Sequence, residues 1–215
     1  MSLELFGHPF SSYTWKALIA LYETGTPFIF RNIAGDEYPE HQAAFFAYWP
    51  VGKFPLLVED GVPIMESSII VEHVSPSMVP EDRGLAREVR MLDRIFDNHV
   101  MTPMKAIVAE HLPFITQTPD SARIARARAA LDKVYPWLDA RLAQRRWAAG
   151  EEFSLADCAG APSLFYADWV HQIPEEFTTL RAYRARALSR PSVARVIDEA
   201  RPYRHLFPLG APDRD

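Results

Sequence analysis

The stretch "HPFSSYTWKALIALYETG", His8 to Gly25, holds two hydroxyls, Ser11 and Ser12, where a short apolar segment hands over to a run with apolar residues at helical spacing. A hydroxyl at a helix N-terminus caps free N–H groups, and that alone accounts for both serines. The same position also suits an anion. A serine hydroxyl can donate to a bound thiolate while the helix N-terminus lends partial positive charge that lowers the thiol pKa. Serine titrates too high to be the base itself, so its part would be electrostatic stabilisation of S⁻. The chain has a single cysteine, Cys158, which excludes an internal disulfide and a Cys-x-x-Cys pair. Any thiol chemistry therefore brings its thiol in as a ligand.

Two further stretches carry candidate site residues. In Lys53-Phe54-Pro55 the X-Pro bond becomes cis far more readily than any other peptide bond. A proline at a strand start explains Pro55 equally well, and Lys53 by itself reads as a surface lysine. Glu66-Ser67 opens a helix after a strand pair, where backbone N–H groups and a hydroxyl can form an anion site. The plain alternative is that Glu66 favours the helix dipole and Ser67 caps. Ser154-Leu155-Ala156-Asp157 resembles a capping box, with Asp in place of Glu or Gln, and is assigned to folding. The seven histidines form no metal-ligand pattern, so no metal is expected. His41 is assigned to a solvated helix face and His73 to core packing.

These residues need elements to position them. Leu3 to Gly7 predicts a strand, Tyr13 to Thr24 a helix stopped by Gly25, Phe28 to Ile33 a strand, and Glu40 to Trp49 a short helix. "PLLVEDGVPIM" predicts two strands joined at Asp60-Gly61, and Glu66 to Val74 a helix, giving β-α-β-α-β-β-α. Beyond Pro80 the pattern is long amphipathic helices, with Pro103 and Pro136 expected to bend or interrupt two of them. Two prolines and a glycine in "SPSMVPEDRG" mark the boundary between these textures. At 215 residues, 48% hydrophobic and 24% charged, the chain is of ordinary globular composition, and two domains are expected. The formal charge of -5 argues against a nucleic-acid binder. No window approaches 18 uninterrupted apolar residues, and the N-terminus lacks the features of a secretory signal, so no membrane association and a cytoplasmic location are expected.

A β-α-β-α-β-β-α unit followed by helices resembles the soluble glutathione transferases. "GKFPLLVEDGVPIMESSIIVEHV", Gly52 to Val74, is similar to that family's run of Gly, Pro, a strand pair and Glu-Ser opening a helix. "FSSYTWKALIAL" is similar to the serine-bearing first-helix entry of zeta-like and related bacterial members, and "FSLADCAGAP" to the family's capping motif. The resemblance implies an α/β thioredoxin-like, glutathione-binding domain at 1–77 and an all-α domain at 85–215 lining a second-substrate pocket. It implies that Ser11 or Ser12 stabilises the glutathione thiolate. Alignment on the zeta-like pattern puts Ser11 at that position and Tyr13 where a cysteine stands, which argues against zeta-type isomerisation and leaves Tyr13 as a rival donor. Phe54, before a cis Pro55, would offer its N–H and C=O to the cysteinyl part, as an added strand would. Lys53 would approach the glycyl carboxylate, Ser67 the γ-glutamyl carboxylate and Glu66 the ammonium. Two or three of Met101, Met104, Phe114, Phe165, Tyr166 and Trp169 would line the second pocket, the rest being core. The implied activity is conjugation of glutathione, as co-substrate, to an apolar electrophilic small molecule by a homodimeric enzyme. The alternatives are a non-catalytic binding or interaction module of the same fold, or a glutathione-dependent isomerase or dehalogenase.

Overall fold

The computed structural model describes residues 2–215. Strand β1 (Leu3–Gly7) leads to helix α1 (Ser12–Thr24), strand β2 (Ile29–Asn32), helix α2 (Pro39–Tyr48), strands β3 (Leu56–Glu59) and β4 (Val62–Met65), and helix α3 (Ser67–Val74). The order is the one the sequence pattern predicts. The sheet runs β2-β1-β3-β4, with β1 and β2 parallel and the other pairs antiparallel. A parallel pair needs a crossover, and α1 supplies it. The β3–β4 turn has positive φ at both Asp60 (47°) and Gly61 (84°), the backbone of a tight primed hairpin.

Helix α1 is the hinge of the architecture. Every residue from Thr14 to Leu21 is buried, because the helix lies between α3 on one side and α7 (Leu155–Val170) on the other. It ends at Gly25 in the left-handed region, with Thr26 N–H bonded back to the Leu21 carbonyl, the wrap-around stop that glycine permits. Gly7, at the opposite end, is needed for another reason: a Cβ there would stand 2.5 Å from Thr14 Cγ2. The missing side chain lets α1 start close against the end of β1.

After a single 3₁₀ turn at Pro76–Met78 the chain is helical: α4 (Arg83–Ile95), a π-helical turn (Phe96–Met101), α5 (Thr102–Ala109), α6 (Ser121–Leu142), α7, α8 (Thr178–Leu188) and α9 (Pro191–Ala200). The interruption expected around Pro103 takes the form of that π-helical turn, in which Thr102 Oγ1 also donates to the Asp97 carbonyl at 3.0 Å. Of the two outcomes expected at Pro136, interruption does not occur: α6 runs unbroken through it. Its flanking residues Leu131, Val134, Tyr135, Leu138 and Leu142 are all buried, and that packed stripe outweighs one lost backbone bond. Helix α7 is buried over its whole length and starts in the capping box of Ser154 and Asp157. One continuous core joins the sheet side to the helices through α1 and α7.

Candidate functional site

Three chain segments meet at one end of the sheet. Phe6 pairs with Leu56 and Leu56 with Met65, so the exit of β1, the entry to β3 and the exit of β4 lie side by side. Continuing the ladder two steps sets His8 beside Phe54, and their rings stack with centroids 6.1 Å apart. This register brings Ser11 and Ser12, Lys53-Phe54-Pro55, and Glu66-Ser67 to a common edge, although they are far apart in sequence.

The loop that carries the serines is pinned from four directions. Phe10 N–H donates to His8 Nδ1 (3.0 Å) and Ser11 N–H to the His8 carbonyl (3.0 Å). Trp15 Nε1 donates to the Pro9 carbonyl (2.8 Å) and Tyr166 Oη to the Phe10 carbonyl (3.0 Å). Burial lowers the pKa of His8, which suits a ring nitrogen used as an acceptor. Phe10 packs among Trp15, Tyr166, Trp169 and Phe207, so the C-terminal segment "HLFPLGAPDRD" buttresses this loop through Phe207.

Ser11 is the N-cap of α1, its Oγ accepting from Thr14 N–H at 3.4 Å. An accepting hydroxyl still has its own proton to donate, so the cap and an anion-binding role are compatible. Ser12 is buried in the first turn. Tyr13 is half-buried, and its pKa is pushed up to about 12, first by burial and then by the charge of Asp97. It therefore stays a protonated donor across the physiological range.

The Phe54–Pro55 bond is cis, as the resemblance implies. Phe54 precedes the first ladder residue, and its N–H and C=O take no backbone partner among the described residues. Glu66 sits at φ 69°, ψ 116°, a backbone conformation costly for a non-glycine residue, roughly 1–3 kcal/mol. Its side chain does not cap α3. The first α3 backbone bond is Ile70 N–H to the Glu66 carbonyl, which leaves the N–H groups of Ser67, Ser68 and Ile69 open. Ser67 is buried with no hydrogen bond from its hydroxyl within the described residues, a donor set shaped for a carboxylate.

Beneath these residues lies a charged cluster that the sequence reading missed. Lys16 is wholly buried and donates to Ser68 Oγ (2.8 Å) and Asp97 Oδ2 (2.8 Å), and pairs with Asp93. Arg94 Nη2 bridges Asp93 (2.6 Å) and Asp97 (2.7 Å) and also reaches Ser68. Lys16 therefore ties α1, one turn after Ser12, to α3 beside Ser67 and to α4. The available signal was a lone lysine in the run Trp15 to Leu21, which is otherwise apolar on every face. Burial raises the pKa of Asp97, against the charge of Lys16.

The second-pocket candidates divide by burial. Met101, Met104, Phe165 and Tyr166 are core residues, and Phe114 is 82% exposed. Trp169 is buried in the aromatic nest around Phe10. What stands over Tyr13 is a residue the sequence reading passed over, Lys105 of α5, its Nζ 4.7 Å from the ring centre. His73 is not core: it is exposed and bonds Glu59 at 2.9 Å. His41 is half-buried, its Nδ1 2.9 Å from the Asn32 carbonyl oxygen. Cys158 is sealed beside Met78, out of reach of any ligand, and burial raises its pKa. Among the described residues no group of three acidic, histidine or cysteine side chains could hold a metal ion, and no helix is long and apolar enough to cross a membrane.

Comparison with known proteins meets this geometry from outside. Residues 1–76 match the model for the glutathione S-transferase N-terminal domain and residues 97–191 that for its C-terminal domain. Glutathione S-transferase F6 of Arabidopsis thaliana is 25% identical over 205 residues, covering 91% of this chain and 99% of its own. A glutathione S-transferase from Rhodospirillum rubrum superposes with a TM-score of 0.74 at 28% identity, covering 90% of this chain and 91% of its own. Another from Methylobacillus flagellatus, solved with GSH bound, gives a TM-score of 0.77 at 25% identity, covering 91% and 98%. These matches carry the family and not the zeta-like subtype, which rests on the "FSSYTW" entry alone. With its two parts matched in order by the family's two domain models, the chain belongs to the glutathione S-transferase family.

Proposed function

We propose that this chain is a glutathione transferase in which Ser11 holds the glutathione thiolate for attack on an electrophilic small molecule. The observation that supports the reading is the convergence, at one sheet end, of a capping hydroxyl with its proton free, an unpaired backbone edge at Phe54 and an open helix N-terminus at Ser67. In this reading Phe54 pairs with the cysteinyl backbone, Ser67 and the α3 N–H groups take the γ-glutamyl carboxylate, Glu66 meets the ammonium, and Lys53 the glycyl carboxylate. Residues 1–77 form the glutathione-binding unit and 85–215 the unit that covers the second substrate. Stabilising S⁻ raises the nucleophile fraction at neutral pH, and holding the electrophile against it supplies proximity.

The test is a pH titration of the thiolate absorbance of glutathione bound to the wild type, Ser11→Ala and Ser12→Ala. A hydrogen bond to a charged acceptor is worth about 1.5–3 kcal/mol, so losing it should raise the bound thiol pKa by roughly one to two units. We expect this in Ser11→Ala alone. A shift confined to Ser12→Ala moves the role one residue, and an unshifted thiol in the wild type overturns the reading.

We further infer a cytoplasmic homodimer. Ile69 (53% exposed) on α3 and Leu85 and Met91 on α4 are exposed apolar side chains, and Met91 lines a groove with Glu72, Arg87 and Arg90. Such a patch suits a second copy of the chain. Light scattering reading a monomer at micromolar concentration would contradict this.

A further inference from the structure

Lys105 of α5 is an exposed cation at the start of α1. Its ammonium lies over the face of Tyr13, two residues beyond Ser11, and makes no ion pair or hydrogen bond among the described residues. Of the acids whose charge reaches Tyr13, Asp97 and Asp93 are engaged by Lys16 and Arg94, and Glu66 is assigned above to the glutathione ammonium. Lys53 has no partner among the described residues either, and the two lysines share a field. The pKa of Lys105 is lowered first by desolvation and next by the charge of Lys53, against the opposing charge of Asp97. Both lysines are exposed, so water screens their mutual repulsion, and each keeps its charge free to meet an anion beside the serines. Glutathione's glycyl carboxylate answers one of them, Lys53, in the reading above. Lys105, on α5 and against the first turn of α1, is left for the other reactant.

We propose that Lys105 is a specificity residue that selects an electrophile carrying a carboxylate or a similar anionic group on an apolar body. The Tyr13 ring, already under the ammonium, fixes the cation's place without neutralising it. This inference rests on the reading of the site as that of a glutathione transferase, but Lys105 has no part in holding glutathione.

The experiment is calorimetric titration of the wild type, Lys105→Met and Lys105→Arg with 3,5-dinitrobenzoate and with 3,5-dinitrobenzamide, each in the presence of glutathione, with glutathione alone titrated separately. The two probes share a body and differ in charge, and neither can react. We expect the wild type to favour the benzoate by about tenfold, Lys105→Met to level the two probes, Lys105→Arg to keep most of the preference, and glutathione affinity to stay the same in all three. No preference in the wild type, or a preference that survives Lys105→Met, overturns the proposal. So does a Lys105→Met variant that loses glutathione affinity in place of benzoate affinity. A wild type that binds the benzoate selectively through Lys105 but does not bind glutathione upholds the anion site and overturns the transferase reading beneath it.

Discussion

Replacing Lys16 by methionine removes the wholly buried cation at the junction of α1, α3 and α4 while keeping a side chain of similar length. The lost partners are Ser68 and Asp97, both at 2.8 Å, and Asp93. Two buried carboxylates then face one cation, Arg94, whose side chain is 49% exposed. Deleting one partner of a buried ionic cluster costs about 3–5 kcal/mol. That is a large part of the roughly 5–15 kcal/mol by which a domain is stable. Proton uptake by Asp97 limits the loss, because burial already holds its pKa above the ordinary 3.8 and the charge of Lys16 is what opposes that rise. A carboxyl raised in the folded state favours folding when protonated, so the deficit of Lys16→Met must shrink as pH falls toward the unfolded value. Urea unfolding of both proteins at about pH 7.5 and about pH 5 measures this directly. A deficit under about 1 kcal/mol at the higher pH, or an equal deficit at both, would refute the electrostatic account. Lys16→Met/Asp97→Asn should recover part of the loss, giving the coupling between the two groups.

Asp157→Ala orphans the donors of Ala148 N–H (2.8 Å), Ser154 N–H (2.9 Å), Ser154 Oγ (3.0 Å) and Tyr183 Oη (2.8 Å), all in the interior. The expected loss is about 3–5 kcal/mol in urea unfolding, well above the ~1 kcal/mol of a simple cap, with the activity of the folded fraction unchanged. Gly7→Ala drives a methyl group into Thr14 Cγ2 at 2.5 Å and Oγ1 at 2.8 Å, so stability should fall by about 1–3 kcal/mol and the KM for glutathione should rise as α1 shifts; Thr14→Ala in the same chain should relieve most of both. Glu23 anchors α1 to the start of α9 through bidentate bonds from Arg190 (2.7 and 2.6 Å). Burial works against its charge, but Arg190 and Ser192 outweigh it and lower its pKa below 4.5. The Tm advantage of the wild type over Glu23→Gln should therefore hold at neutral pH and disappear as pH falls below 4.5.

What the chain determines by itself is whatever rests on neighbours in sequence. The β-α-β-α-β-β-α order, the Asp60-Gly61 turn, the Gly25 stop and the Ser154–Asp157 cap each follow from residues a few positions apart, and each is legible from spacing alone. Ser11 as the cap of α1 was likewise readable, because helix-entry chemistry is local, whereas the glutathione roles of Ser11, Pro55, Glu66 and Ser67 come from the resemblance to the family. Tertiary structure decides which side chains end up together across 50 to 80 residues. Lys16 gave no local sign that its partners would be Ser68 and Asp97, 52 and 81 residues on, since ion pairing depends on approach and not on spacing. The same holds for Met101, Met104 and Phe165, whose apolar character fits a pocket wall or a core equally, and which packing assigned to the core. Lys105 is the opposite case: an ordinary surface lysine by sequence, it acquires chemical meaning only because α5 delivers its charge to the Tyr13 ring beside the serines.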